Sequence, residues 1–115
     1  MSFLNRLLGS DTGTTTDVDV QTAHTLQQEG SLLIDVREPS EFRGGHAAGA
    51  RSIPLGQLAD RAGEIAKDRI VLLICASGNR SKTARSILQR MNFADARNVL
   101  GGTSAWQRAG LPMKR

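Results

Sequence analysis

The stretch Ile70-Val71-Leu72-Leu73-Ile74-Cys75-Ala76-Ser77-Gly78-Asn79-Arg80-Ser81 decides the reading of this 115-residue chain. Its aliphatic half reads as a short buried strand, and its second half contains no aliphatic side chain larger than Ala. Beyond it, Ala84, Ile87, Leu88 and Met91 fall at i, i+3, i+4 and i+7, the spacing of one helix face. Cys75, the only cysteine of the chain, therefore sits on a tight loop between a buried strand and a helix start. Such a loop turns backbone N–H groups and the positive end of the helix dipole toward the sulfur, which favours thiolate over thiol. A cysteine at a strand end is more often a small hydrophobe, but that role does not require the glycine-containing polar loop that follows. Cys75 is accordingly the candidate nucleophile.

Working outward, alternating strands and helices emerge on both sides. Asp19 suits a helix N-cap, with Val20, Ala23, His24, Leu26 and Gln27 at helical spacing before Gly30. Residues 31–36 read as a second buried strand, closed by Arg37-Glu38-Pro39. Asp35 near the end of that strand needs partners, either as a support group beneath a site or as a structural cap. Glu41 to His46 reads as a loop with a short helical turn, residues 49–54 as a brief strand, and residues 55–66 as helix-like. Val99-Leu100 reads as a last strand, Gly101-Gly102 as a turn, and Thr103 to Arg108 as a helical turn whose Trp106 closes the core. The pattern predicts an α/β domain with a mainly parallel sheet flanked by helices on both faces, and ligands at the carboxyl ends of its strands, where Cys75 lies.

The totals limit the alternatives. The length suits one domain, taken as residues 17–115, preceded by a flexible N-terminal segment and Thr/Gly-rich linker over residues 1–16. One cysteine forms no internal disulfide, and His24 and His46 stand apart without a second thiol, so no metal site and no cofactor are expected. Single-cysteine usage points to a reducing, cytoplasmic compartment. No stretch reaches the roughly 20 apolar residues of a membrane span. Asn5 and Arg6 interrupt the leading apolar residues, which read as a frayed tail or as a short amphipathic turn. With 15 Lys and Arg against 11 Asp and Glu, the net charge of +4 suits small anions. Three Phe, one Trp and no Tyr supply little for base stacking, so nucleic acid is not an expected partner. Arg80, Lys82, Arg85, Arg90 and Arg97 make the region after Cys75 basic, either to concentrate an anionic substrate or as a solvated face.

Three ordered signatures carry a resemblance. Leu33-Ile34-Asp35-Val36-Arg37-Glu38-Pro39 with Glu41-Phe42, Gly45-His46-Ala47-Ala48-Gly49-Ala50 and Ile53-Pro54 form the first. Cys75 to Ser81 form the second, and Val99-Leu100-Gly101-Gly102 with Trp106, Gly110 and Pro112 form the third. From Asp17 to Pro112 the chain resembles the rhodanese family of single-domain sulfurtransferases. The resemblance implies that Cys75 accepts sulfane sulfur from a donor such as thiosulfate or polysulfide, becomes a persulfide, and passes the outer sulfur to cyanide or a thiol. It further implies that the backbone amides of Ala76, Ser77, Gly78, Asn79, Arg80 and Ser81 cradle that sulfur, with Asp35 and Arg37 as supporting groups. The alternative is a sulfur-carrier or binding module that works with a sulfur-relay protein.

Cysteine-dependent phosphatases, the nearest rival reading, place one residue more between Cys and Arg than the four found here, and no His precedes Cys75, since Ile74 stands there. No acid lies within the loop to protonate a leaving alcohol, so phosphatase chemistry is disfavoured. One departure from many thiosulfate-using relatives is the pair Ala76-Ser77, where a basic residue commonly follows the cysteine. Arg80 is then the loop's only side-chain cation, either binding a sulfonate or pairing with a carboxylate such as Asp35 or Glu38.

Overall fold

The computed structural model describes residues 17–115, so the linker read over residues 1–16 lies outside the described residues. The chain runs β1 (Asp17–Val18), α1 (Val20–Gln28), β2 (Leu32–Asp35), α2 (Pro39–Arg43), β3 (His46–Ala47), β4 (Arg51–Ser52), β5 (Val71–Ile74), α3 (Asn79–Arg90), β6 (Ala96–Val99), α4 (Gly102–Arg108) and β7 (Met113–Lys114). Five strands form one parallel sheet in the order β1-β6-β5-β2-β4, which puts the aliphatic strand β5 at its centre. The pairings Ile34 with Leu73 and Leu73 with Asn98 set the register around that centre. The expectation of an α/β domain with a mainly parallel sheet holds.

Alternation along the strands splits the interior into two cores. Ile34, Val71, Leu73 and Cys75 face one side, where Ala84 and Leu88 of α3 cover them together with Leu58, Ala62 and Phe93. Leu33, Leu72, Ile74 and Val99 face the other side, against Val20 and Ala23 of α1 and the fully buried Trp106 of α4. Asp19 caps α1 by accepting from the Thr22 amide at 2.8 Å, and Gly30 follows the helix with φ +110°. His24 meets Trp106 edge to face rather than entering a site.

Three sequence expectations shift. The helix-like spacing of residues 55–66 resolves into two short 3-10 turns, Leu55–Gln57 and Ala62–Glu64, which still bury Leu58, Ala62 and Ile65. Spacing alone does not distinguish a helix from turns that repeat every three residues. The last strand of the sheet is Ala96–Val99, with Leu100 beyond its end and exposed. Three short strands escape the pattern reading: β1, β3, and β7, which pairs antiparallel with β3. Two residues carry no alternation for the period to mark, and of the two-residue strands only β4 fell within a stretch read as strand.

Candidate active site

The loop after β5 turns sharply because Gly78 adopts φ +109°, a left-handed conformation that side chains rarely take, and it starts α3 at Asn79. That turn folds the chain around its own sulfur. The Gly78 amide donates to Cys75 Sγ at 3.1 Å and the Ser81 amide at 3.3 Å, while Ser81 Oγ lies 3.2 Å away. Cys75 is only 1% exposed, yet its thiol is pulled below the ordinary thiol range. Burial alone pushes it up. The Ser81 hydroxyl and the amides of Ser81, Gly78 and Ser77 together outweigh that push, because each stabilises the charged form.

The back of the loop is held by α4. Cys75 O accepts from the Thr103 amide at 2.8 Å and from Thr103 Oγ1 at 3.1 Å, and Ala76 O accepts from the Ser104 amide at 3.1 Å. This close approach requires Gly102: a Cβ there would meet Cys75 O and would lie 2.7 Å from the Ala76 carbonyl carbon. The loop's oxygens thus point toward α4 while two of its N–H groups point at the sulfur.

Two arginine–carboxylate pairs flank the loop. Arg37 folds back on Asp35, donating from Nε and Nη2 at 2.8–3.1 Å, and its Nη2 also reaches Gly45 O at 2.9 Å. Asp35 is fully buried and Arg37 is 6% exposed. Asp35 and Arg37, expected from the resemblance as supporting groups, bond to each other and to Gly45 and make no hydrogen bond to the sulfur. Arg80 donates bidentately to Glu41 at 2.7 and 2.9 Å. Its carboxylate partner is Glu41 of α2, not the Asp35 or Glu38 considered from sequence, because Asp35 is occupied by Arg37 and Glu38 starts α2 in a reciprocal capping box with Glu41. The Arg80 guanidinium holds the Glu41 carboxyl down at about 2, with help from the Glu38 amide.

Of the basic residues after Cys75, Arg80, Arg85 and Arg97 are engaged by Glu41, Asp17 and Asp95. That leaves the region after Cys75 less attractive to anions than its composition suggests. Sequence reasoning missed Glu41, Asn98, Asp17 and the Gly102–Ser104 clamp. A polar Asn between the apolar Ala96 and Val99 was a readable signal, since a polar residue in a buried strand needs partners. Outside the loop lies an open cleft of about 570 Å³, bordered by Arg37, Glu41, Gly45, Ala76, Ser104 and Lys114. It opens at the carboxyl ends of the strands, as expected for a parallel sheet. Among the described residues there is no cluster of His, Cys, Asp and Glu able to hold a metal, and no helix is long and apolar enough to cross a membrane.

Residues 19–109 match the Rhodanese-like domain family. The chain belongs to the rhodanese family. It is 39% identical over 85 residues to a sulfurtransferase of Allochromatium vinosum, covering 74% of this chain and 79% of that protein. It is 33% identical over 81 residues to thiosulfate sulfurtransferase GlpE of Pseudomonas putida, covering 70% and 74%. An uncharacterized protein of Bacillus subtilis, YqhL, is 47% identical over 74 residues, and the match spans 64% of this chain but 59% of that longer protein. Among solved structures, the rhodanese-related protein of Thermoplasma volcanium superposes with a TM-score of 0.79 at 27% identity, covering 86% of this chain and 97% of that one. Membership of the rhodanese family and relatives named sulfurtransferases support sulfur transfer in general.

Proposed function

We propose that this rhodanese-family chain is a sulfurtransferase that carries sulfane sulfur on Cys75 from a donor such as thiosulfate to a thiophilic acceptor such as cyanide or a thiol. The observation that carries this reading is the sulfur at the centre of its own loop, with the Gly78 and Ser81 amides and the Ser81 hydroxyl within hydrogen-bond reach. The Cys75 thiolate attacks the outer, sulfane sulfur of thiosulfate; the sulfur–sulfur bond of the donor breaks and sulfite leaves with the electron pair. The product is Cys75–S–S⁻, whose negative outer sulfur requires N–H donors that are already oriented. Ala76, Ser77, Asn79 and Arg80 supply the remaining amides of the loop. Cyanide then attacks the outer sulfur, the new sulfur–sulfur bond breaks, and thiocyanate leaves with the thiolate restored. Because Cys75 is 1% exposed, a donor must present a terminal sulfur atom and keep its bulk in the cleft.

Intact-protein mass after incubation with thiosulfate tests this directly. Wild type gains one sulfur atom, cyanide removes it as thiocyanate, and Cys75→Ser gains none. Sulfur transfer that survives in Cys75→Ser overturns the mechanism. The second reading, a carrier fed by a partner protein, is favoured by one observation: Arg80, the loop's side-chain cation, is already engaged by Glu41 and offers thiosulfate no free charge. A gain of sulfur from a persulfidated protein or polysulfide, but not from thiosulfate, selects that reading.

A further inference from the structure

Behind the sulfur runs a chain of side-chain hydrogen bonds that leads away from the cleft. Ser81 Oγ lies 3.2 Å from Cys75 Sγ and 2.6 Å from Asn98 Oδ1; Asn98 Nδ2 lies 3.1 Å from Asp17 Oδ1; and Arg85 Nη1 lies 3.3 Å from the same Asp17 oxygen. Ser81 is fully buried and Asn98 is 1% exposed, so water does not substitute for a missing partner at either. The donors and acceptors can be assigned by chemistry. A carboxylate only accepts, so Asp17 must face the NH₂ of Asn98, and this turns the amide oxygen toward Ser81. The 2.6 Å bond between Ser81 and Asn98 is then one that only the Ser81 hydroxyl can donate.

A hydroxyl has one hydrogen, and here two acceptors claim it. With Cys75 as a thiol, the S–H donates to Ser81 Oγ and the Ser81 hydrogen goes to Asn98. With Cys75 as a thiolate, the same hydrogen must turn to the sulfur, leaving the Asn98 oxygen without its donor. We propose that Asn98, held in one orientation by Asp17, is a positioning residue that competes with Cys75 for the Ser81 hydrogen and thereby sets how readily the sulfur ionises. The inference rests on Cys75 being the working nucleophile and adds a control on its charge. Ionisation releases the thiol proton to solvent; the Ser81 hydrogen stays on its oxygen and only swings.

The same device responds to the persulfide. Once Sγ carries a second sulfur it is bonded on both sides and nearly neutral, so the Ser81 hydrogen returns to Asn98, while the charge moves to the outer sulfur and the loop amides. The relay thus favours the loaded state over the free thiolate. Other charged groups near the loop are Arg80 on α3 with Glu41 on α2, Asp35 with Arg37 at the end of β2, and Lys114 and Arg115 across the cleft; Arg85 and Asp17 form the far end of the relay itself. The first turn of α4 adds no acidic residue.

Because the chain has a single cysteine, thiolate ultraviolet absorbance against pH reads Cys75 alone in the 115-residue chain. Ser81→Ala should shift the ionisation of Cys75 upward. Asn98→Leu should shift it downward, corresponding to about fivefold more thiolate at a pH below the midpoint, the weight of one hydrogen bond. In the Ser81→Ala background the Asn98→Leu shift should vanish. Asp17→Ala, at a half-exposed site, frees the Asn98 amide to turn its NH₂ toward Ser81, and should shift Cys75 downward only when Ser81 is present. It serves if Asn98→Leu does not fold. Equal shifts with and without Ser81, or an upward shift for Asn98→Leu, overturn the proposal. Sulfur loading measured on the same proteins separates the two readings. Failure of wild type to load from any donor while the Ser81-dependent shifts persist overturns the transferase, and normal loading without such shifts overturns the relay.

Discussion

The two arginine–carboxylate pairs beside the loop use the same chemical groups in different surroundings. In the Asp35–Arg37 pair the side chains are 0% and 8% exposed; in the Glu41–Arg80 pair they are 35% and 38% exposed. The first is also locked by the Arg37 bond to Gly45 O, which ties the end of β2 to the entry of β3. The second joins α2 to the start of α3 across the rim of the cleft. A buried pair is costly to break because its surviving charge cannot recover water, whereas an exposed pair exchanges its partner for solvent at little cost. The difference teaches that the Asp35–Arg37 pair is the one costly to break, and that the Arg80–Glu41 pair is the one free to exchange partners at the cleft.

The largest effect should come from Asp35→Ala, which strands the Arg37 guanidinium. Chemical denaturation should show a loss of roughly 3–5 kcal/mol, against roughly 0–1 kcal/mol for Arg80→Ala. Similar losses for both would erase the distinction between the pairs. A smaller, kinetic effect is expected from Glu41→Gln, which releases Arg80: kcat/KM for thiosulfate should rise several-fold, while polysulfide use stays the same. Arg80→Ala should then change both donors alike. A loss confined to thiosulfate would mean that the guanidinium leaves Glu41 to bind the sulfonate. The smallest effect is in acid stability. Arg80 holds the Glu41 carboxyl at about 2, below its ordinary 4.5, so the pair contributes fully above about 4.5 and loses its contribution as pH falls through about 2. The small stability gap between wild type and Glu41→Gln should therefore be flat at neutral pH and close between these values. A gap that widens on acidification would reverse the sign.

Much of the molecule was legible from residue order. The run ending at Cys75, the caps at Asp19 and Gly30, and the i, i+3, i+4 and i+7 pattern of α3 are local signals, and local physics settles them. The position of Cys75 at the head of a strand-to-helix loop was legible for the same reason. The residues that hold the loop were harder to read, because their roles exist only across distance. Glu41 meets Arg80 from 39 positions away, Asn98 meets Ser81 from 17, and Asp17 meets Asn98 from 81. The double glycine was read as a turn, but Gly102 is needed because the Cys75 and Ala76 carbonyls pass where a side chain would stand, which no neighbouring residue announces.

That passage of backbone past Gly102 adds a second link between the two cores, beside the strands they share. Cys75 sends its side chain into the α3 core and its carbonyl to α4, whose Trp106 anchors the opposite core. The sulfur is thus set into the wall between two rooms. The backbone that carries the sulfur is held by the first turn of the helix that carries Trp106.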